Sequence, residues 1–280
     1  MQRHPPFPIP AKGRPVSDQP LASPSSFPAG PGAPAERRIQ AVIFDLDNTL
    51  TDFMKAKEDA IRAAVEAMID AGLPLGRGEA TDRIFAIYKD KGIEHQRVFN
   101  FFLEQTVGRS DDRILAAAVV AYRRAREASL VTYPHARLVL NSLLKAGYRM
   151  AVVSDAPRFE AWLRLTYLGL QHSFDLVLTH DDTGAHKPDP TGFRMALERL
   201  GVAPDRAVVI GDWKERDIRG GRNAGTHTVY ARYGDQYSQY ADKVPGDATV
   251  PDFVVDDLLQ LLDVLDRLNG VAGTNGEDGP

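Results

Sequence analysis

The sequence predicts an α/β fold in which a parallel sheet is covered by helices on both faces and an all-helical block is inserted after the first strand. Three observations predict it. Short runs rich in Val, Ile or Phe recur along the chain, strand and helix patterns alternate in its second half, and the stretch 53–132 is helical in period throughout. Each apolar run is bounded by polar or glycine residues, as buried parallel strands are. Strand–helix–strand alternation requires crossovers that lay helices on both faces, which gives three layers.

QAVIF (40–44) reads as the first strand. After it, KAKEDAIRAAVEAMIDAG, DRIFAIYKDKG, EHQRVFNFFLEQT and DDRILAAAVVAYRRARE place apolar residues three and four apart, with no strand signal between them. Pro134 marks the return to the core. Strands are expected again at 149–153, 174–178, 207–210 and 227–231, with helices at 157–168, 191–200 and 215–224. The expected organisation is a core made of 38–52 and 133–268, carrying a helical domain at 53–132. Residues 1–37 are crowded with Pro, Ser, Gly and Ala and read as a disordered tail, as do 269–280. PPFPIP, near the start, is a weak basis for a proline-binding partner.

Composition narrows the function. At 43% apolar and 26% charged residues, the chain reads as an ordinary globular protein, and a net charge of −4 offers no basic face for nucleic acid. It has no cysteine, which excludes disulfides, thiolate metal sites and a cysteine nucleophile. The longest apolar stretch, ILAAAVVAY (114–122), is far too short to cross a membrane. No apolar block of a secretory signal opens the sequence, so a cytoplasmic location is expected.

In open parallel sheets, ligands bind beyond the carboxyl ends of the strands. The first strand ends in Asp45 and Asp47, the second in Ser154, and the third leads through GAHKPDP to Lys187. The fourth ends in IGDWKERD, which supplies Asp212 and Asp217. Grouped carboxylates make a hard oxygen site suited to magnesium (Mg2+). A hydroxyl, a lysine and free backbone N–H groups suit phosphate oxygens.

In this order, DLDNT, VVSD, KPDP and GDWKERD resemble the four motifs of the haloacid dehalogenase superfamily. The resemblance runs from about residue 38 to 268. It implies a three-layer Rossmann-like parallel sheet core, with the helical insertion placed like that family's type 1 cap domain. The implied activity is Mg2+-dependent phosphatase action on a small phosphorylated metabolite, such as a sugar or triose phosphate or a nucleotide, through an aspartyl-phosphate. Carried over, Asp45 is the nucleophile, and Asp47 protonates the leaving oxygen and then deprotonates water. Thr49, Ser154 and Lys187 fall among the phosphate-binding residues. Asp45, Asp47 through its backbone carbonyl, Asp212 and Asp217 would hold the metal. The family's dehalogenases lack an acid at the position of Asp47, so its presence favours phosphoryl chemistry. Phosphomutases share all four motifs and stay as an alternative, as does a phosphate-sensing or scaffolding protein without turnover.

Plainer readings stand beside these. Asp52 is expected to cap the first inserted helix, and Asp217 or Ser154 could cap the helix that each precedes. Seven scattered histidines include no helical pair at metal-ligand spacing, so no zinc site is expected. Phe85, Tyr88, Phe99, Phe101 and Phe102 suit a small core better than a substrate box. If cap side chains face the cleft, Phe99 to Phe102 are the first candidates. Trp213 either walls the cleft or packs beneath its loop.

Overall fold

The computed structural model describes residues 37–235 and 249–271. Both expected tails lie almost wholly outside these residues. Six strands follow one another as β1 (Ala41–Phe44), β2 (Arg149–Val153), β3 (Leu176–Leu178), β4 (Ala207–Gly211), β5 (His227–Ala231) and β6 (Phe253–Val255). All pair in parallel, in the spatial order β3-β2-β1-β4-β5-β6. The order reverses about β1, which is where such sheets open a crevice at their carboxyl edge. Phe44 stands level with both Val152 and Ile210. Asp45, Ser154 and Asp212 therefore emerge within a residue or so of one another along three adjacent strands.

Strand alternation sends β1 into both layers. Val42 and Phe44 join a core with Val139, Leu143, Leu165 and Leu261. Ala41 and Ile43 join another with Phe193, Ala196 and Leu197. The first layer is built by α5 (Ala136–Lys145), α6 (Arg158–Tyr167) and α10 (Gln260–Asn269). The second is built by α8 (Thr191–Leu200) and α9 (Arg219–Ala224), and a one-turn helix α7 (His180–Thr183) leads toward α8.

Between β1 and β2 lie α1 (Phe53–Asp70), α2 (Arg77–Lys91), α3 (Val98–Val107) and α4 (Asp112–Ser129). They close on a separate core that includes Ile61, Val65, Met68, Ile84, Phe102 and Leu103. The two ends of this block meet at the sheet: Thr51 bridges to Thr132, and the Thr51 hydroxyl donates to Val131 O at 2.7 Å.

The third strand is shorter than 174–178. Asp175 bonds the Met150 backbone on both sides, through its own N–H and through its carboxylate (2.8 Å each), while Phe174 lays its ring edge-on to Phe44. Helices α5 and α10 and the three-residue β6 were not among the expected elements. The expected helix at 215–224 begins as a wide turn over 214–218 before α9. Asn269, placed in the C-terminal tail by sequence, ends α10 and accepts from Ile39 N–H at 2.8 Å. Among the described residues no helix is long and apolar enough to cross a membrane.

Candidate active site

The loop after β1 is folded against its own backbone. Asp45 N–H extends the ladder to Ile210 O (2.9 Å). Asn48 then turns the chain at a φ of 61°, a conformation asparagine adopts more readily than most residues. Its side-chain oxygen accepts from Met54 N–H (3.0 Å), and Asp52 caps α1 by accepting from Lys55 N–H (3.2 Å), as expected. The segment after β5 closes over this loop at Gly234. A Cβ there would fall 1.7 Å from Asn48 O, so only glycine permits the approach.

Beyond the sheet edge, Asp45, Asp212 and Asp217 each offer an oxygen, and these atoms lie within 4.8 Å of one another. All three residues are buried. The Lys187 ammonium enters this group, donating to Asp45 Oδ1, to Asp217 Oδ1 at 2.6 Å and to Val153 O at 3.3 Å. Asp217 reaches the group because Gly211 has no side chain: a Cβ on Gly211 would lie 2.3 Å from Asp217 Cβ. Its other oxygen accepts from Trp213 N–H (3.0 Å), so it ties the loop after β4 rather than starting a helix. The Thr49 hydroxyl donates to Asp212 Oδ1 at 3.1 Å, and this fixes that carboxylate.

Three acids against one lysine leave two uncompensated negative charges, a deficit matched by one divalent cation. At an effective dielectric near 20, two like charges about 4 Å apart repel by about 4 kcal/mol, so the balance matters. Burial, then repulsion from Asp217, pushes the Asp45 carboxyl up to about 7 although Lys187 pulls the other way. Burial, then Asp45 and Asp217, drives Asp212 well above the usual carboxylate range. Burial works against the Lys187 ammonium, but Asp217 and Asp45 overrule it and keep it charged. The donor set, all oxygen and compressed, fits a hard divalent ion such as Mg2+.

Asp47 stands apart from that group. Its Oδ2 lies 3.1 Å from Arg164 Nη1, and its buried Oδ1 has no hydrogen-bond partner among the described residues. Burial raises its carboxyl to about 6 despite Arg164. Ser154, also buried, accepts from Ala156 N–H at 3.2 Å, while its own O–H donates to nothing among the described residues. It is not the cap of α6, whose first turn follows Pro157 without a side-chain cap. Asp155 braces the edge instead, accepting from Lys187 N–H (3.0 Å) and pairing with Arg216 (2.5 Å).

The structure thus brings together Asp45, Lys187, Asp212, Asp217 and Thr49, and sets Asp47 beside them. Phe99 and Phe102 do not face the cleft: they are buried in the cap's own core, Phe99 against Tyr122. Phe101 is half-buried beside His95. The sequence reading missed Arg164, Glu94 and Lys57. Arg164 pairs with both Asp47 and Glu94, and so links the core to the cap.

With this geometry the chain's kinship is plain. It belongs to the haloacid dehalogenase-like hydrolases, whose family model matches residues 39–225. It is 38% identical to a glyceraldehyde 3-phosphate phosphatase of Methanopyrus kandleri over 82% of this chain and 98% of that one. To the protein of the same name from Pyrococcus furiosus it is 33% identical, over 84% and 96%. Among solved structures, a HAD phosphatase from Thermococcus onnurineus superposes with a TM-score of 0.58 at 24% identity, covering 81% of this chain and 98% of the other. That likeness speaks to the fold.

Proposed function

We propose that the protein is a Mg2+-dependent phosphatase that hydrolyses a small phosphorylated metabolite, a triose phosphate first among them, in the cytoplasm. One observation carries this reading. Asp45 is held between Lys187 and two further buried acids, while Asp47, two residues on, keeps an oxygen without a partner among the described residues. That is a nucleophile with a cation bonded to it, near an acid with room for a proton. The archaeal relatives, similar along nearly their whole length, support the triose phosphate.

In this reading an Asp45 oxygen attacks phosphorus as the bond to the leaving oxygen breaks, and Asp47 gives that oxygen its proton. Asp47 then takes a proton from the water that attacks the aspartyl-phosphate, which releases phosphate and restores Asp45. A carboxyl raised to about 6 is available in both states near neutrality. Lys187 and the Ser154 hydroxyl hold phosphoryl oxygens. Asp45, Asp212, Asp217 and the backbone carbonyl of Asp47 would hold the metal, which offsets the repulsion between nucleophile and phosphate. Thr49 acts by positioning Asp212.

The test is release of free phosphate from a panel of triose, sugar and nucleotide monoesters, with Mg2+ or with EDTA. Release in Mg2+, lost in EDTA and in Asp45→Asn, is the expected result. Conversion of one sugar phosphate into its isomer without release would make the protein a mutase. Binding without either product would make it a sensor.

A further inference from the structure

Lys57 lies on α1, one turn after Phe53, on the helix face that also carries Ala60, Ile61 and Ala64 into the interior. A lysine on such a stripe normally reaches out to water. This one does not: it is 5% exposed. Among the described residues its ammonium meets no carboxylate at ion-pair distance. It faces three rings instead, 4.3 Å from the centroid of Tyr88, 5.5 Å from Tyr122 and 5.9 Å from Phe53. Ring faces recover only part of what an ammonium loses on leaving water.

The place of this cage matters. Phe53 is shared: the Arg164 guanidinium lies 4.4 Å from the centroid of the same Phe53 ring, and that guanidinium reaches Asp47 at 3.1 Å. Arg164 is already matched by Asp47 and Glu94. Among the described residues Lys57 has no carboxylate partner, and its charge is felt at Asp47. Phe53 thus ties Lys57 to the guanidinium that holds Asp47, the acid that would protonate a leaving group.

We propose that Lys57 is a specificity-determining residue whose ammonium takes an oxygen acceptor, carboxylate or carbonyl, carried by the leaving group of the substrate. The inference rests on the phosphatase reading of the site and adds the chemistry of the leaving group to it. Esters with a second oxygen function, such as phosphorylated hydroxy acids and triose phosphates, are then preferred over alkyl esters. The aromatic walls keep the ammonium dry, so an acceptor there is held more strongly than it would be in water.

The test compares wild type with Lys57→Met in Mg2+ on 3-phosphoglycerate, glyceraldehyde 3-phosphate and ethyl phosphate, with thermal melts of both proteins. The first two substrates separate a carboxylate acceptor from a carbonyl. The expected result is that kcat/KM falls by about tenfold more for an oxygenated ester than for ethyl phosphate, mainly through KM. Lys57→Gln, which keeps a donor without the charge, should fall between, and it replaces Lys57→Met as the readout if that variant melts too low to assay. Equal losses on all three esters, or no loss, would overturn the assignment and leave Lys57 as a lock within the cap. Wild type that releases phosphate from none of the esters would instead overturn the phosphatase reading itself.

Discussion

Arg164 Nη1 stands 3.1 Å from Asp47 Oδ2, and the same guanidinium grips Glu94 on the loop between α2 and α3. An arginine of the core thereby joins the candidate acid to the cap. Arg164 is 5% exposed, and the two carboxylates offset the cost of burying its charge. Replacing it by Met leaves two half-buried acids without their cation. The expected cost is about 1–3 kcal/mol at neutral pH, seen in denaturant melts. Arg164→Met combined with Glu94→Gln should recover part of that loss, giving a coupling of about 1 kcal/mol or more in the double-mutant cycle. Additive effects would show that the pair is not coupled.

Asp47→Asn keeps the shape of the side chain and removes its proton chemistry. Turnover of alkyl phosphate esters should fall by about 10²–10⁴-fold. For a nitrophenyl ester, whose leaving oxygen needs little protonation, the loss should be smaller. The two losses are read side by side from initial rates, and equal losses would make Asp47 structural.

Much of this site is legible in the sequence because the strand ends are. An apolar run followed by an acid pair, a Ser–Asp, a Lys–Pro and a Gly–Asp is a local pattern, and parallel pairing levels β1, β2 and β4 so that local patterns become neighbours. The relation of Arg164 to Asp47 spans 117 positions of sequence, across the whole helical insertion, and no local rule reports it. A signal was nevertheless present. Arg164 falls on the stripe of Ala161, Leu165 and Leu168, and Lys57 on that of Phe53, Ala60 and Ile61. A cation on the apolar face of an amphipathic helix either reaches water or meets something specific there: Arg164 meets two carboxylates, and Lys57 meets three ring faces. Strand β6 was illegible for another reason. Three residues at a sheet edge, with Val254 exposed, bury too little to leave a pattern.

Gly211→Ala tests how the acids are brought together. Its Cβ would fall 2.3 Å from Asp217 Cβ, well inside contact distance, and backbone and carboxylate would have to part. Overpacking of this kind costs about 1–3 kcal/mol. Displacement of Asp217 should also weaken Mg2+ binding, read as a smaller thermal shift on adding the metal. A variant with unchanged stability and unchanged shift would refute the packing argument.

The raised carboxyls make the metal-free protein sensitive to pH in a definite direction. In the folded chain Asp45 titrates at about 7 and Asp47 at about 6, both above the ordinary value of 3.8. Between about pH 4 and 7 the folded state therefore binds more protons than the unfolded one, and stability falls as pH rises through that window. The melting temperature in EDTA should be higher at pH 5 than at pH 7.5. Asp182 and Asp257 are shifted the other way, so their contribution is lost only in more acid solution. A melting temperature that rises from pH 5 to pH 7.5 in EDTA would contradict the burial of these acids.

Metal should reverse that trend, because it binds the deprotonated carboxylates that burial disfavours. A ligand held only by the folded chain stabilises it by about 2.7 kcal/mol at a hundred times its dissociation constant. Mg2+ should therefore raise the melting temperature, more at pH 7.5 than at pH 5, since protons compete for Asp45 and Asp212 at the lower pH. Ca2+ prefers longer bonds and more ligands, while Asp45, Asp212 and Asp217 converge within 4.8 Å and are pinned by Lys187, Thr49 and Trp213. Its stabilisation should be weaker and its support of turnover poor. Asp212→Asn removes one negative ligand without changing the loop's size, and the Mg2+-dependent shift should largely disappear while the metal-free melt at pH 7.5 rises, because one repelling charge has gone. Calorimetric melts across the two pH values, two metals and two proteins measure all of these terms at once. A full Mg2+ shift retained in Asp212→Asn would remove that residue from the metal site.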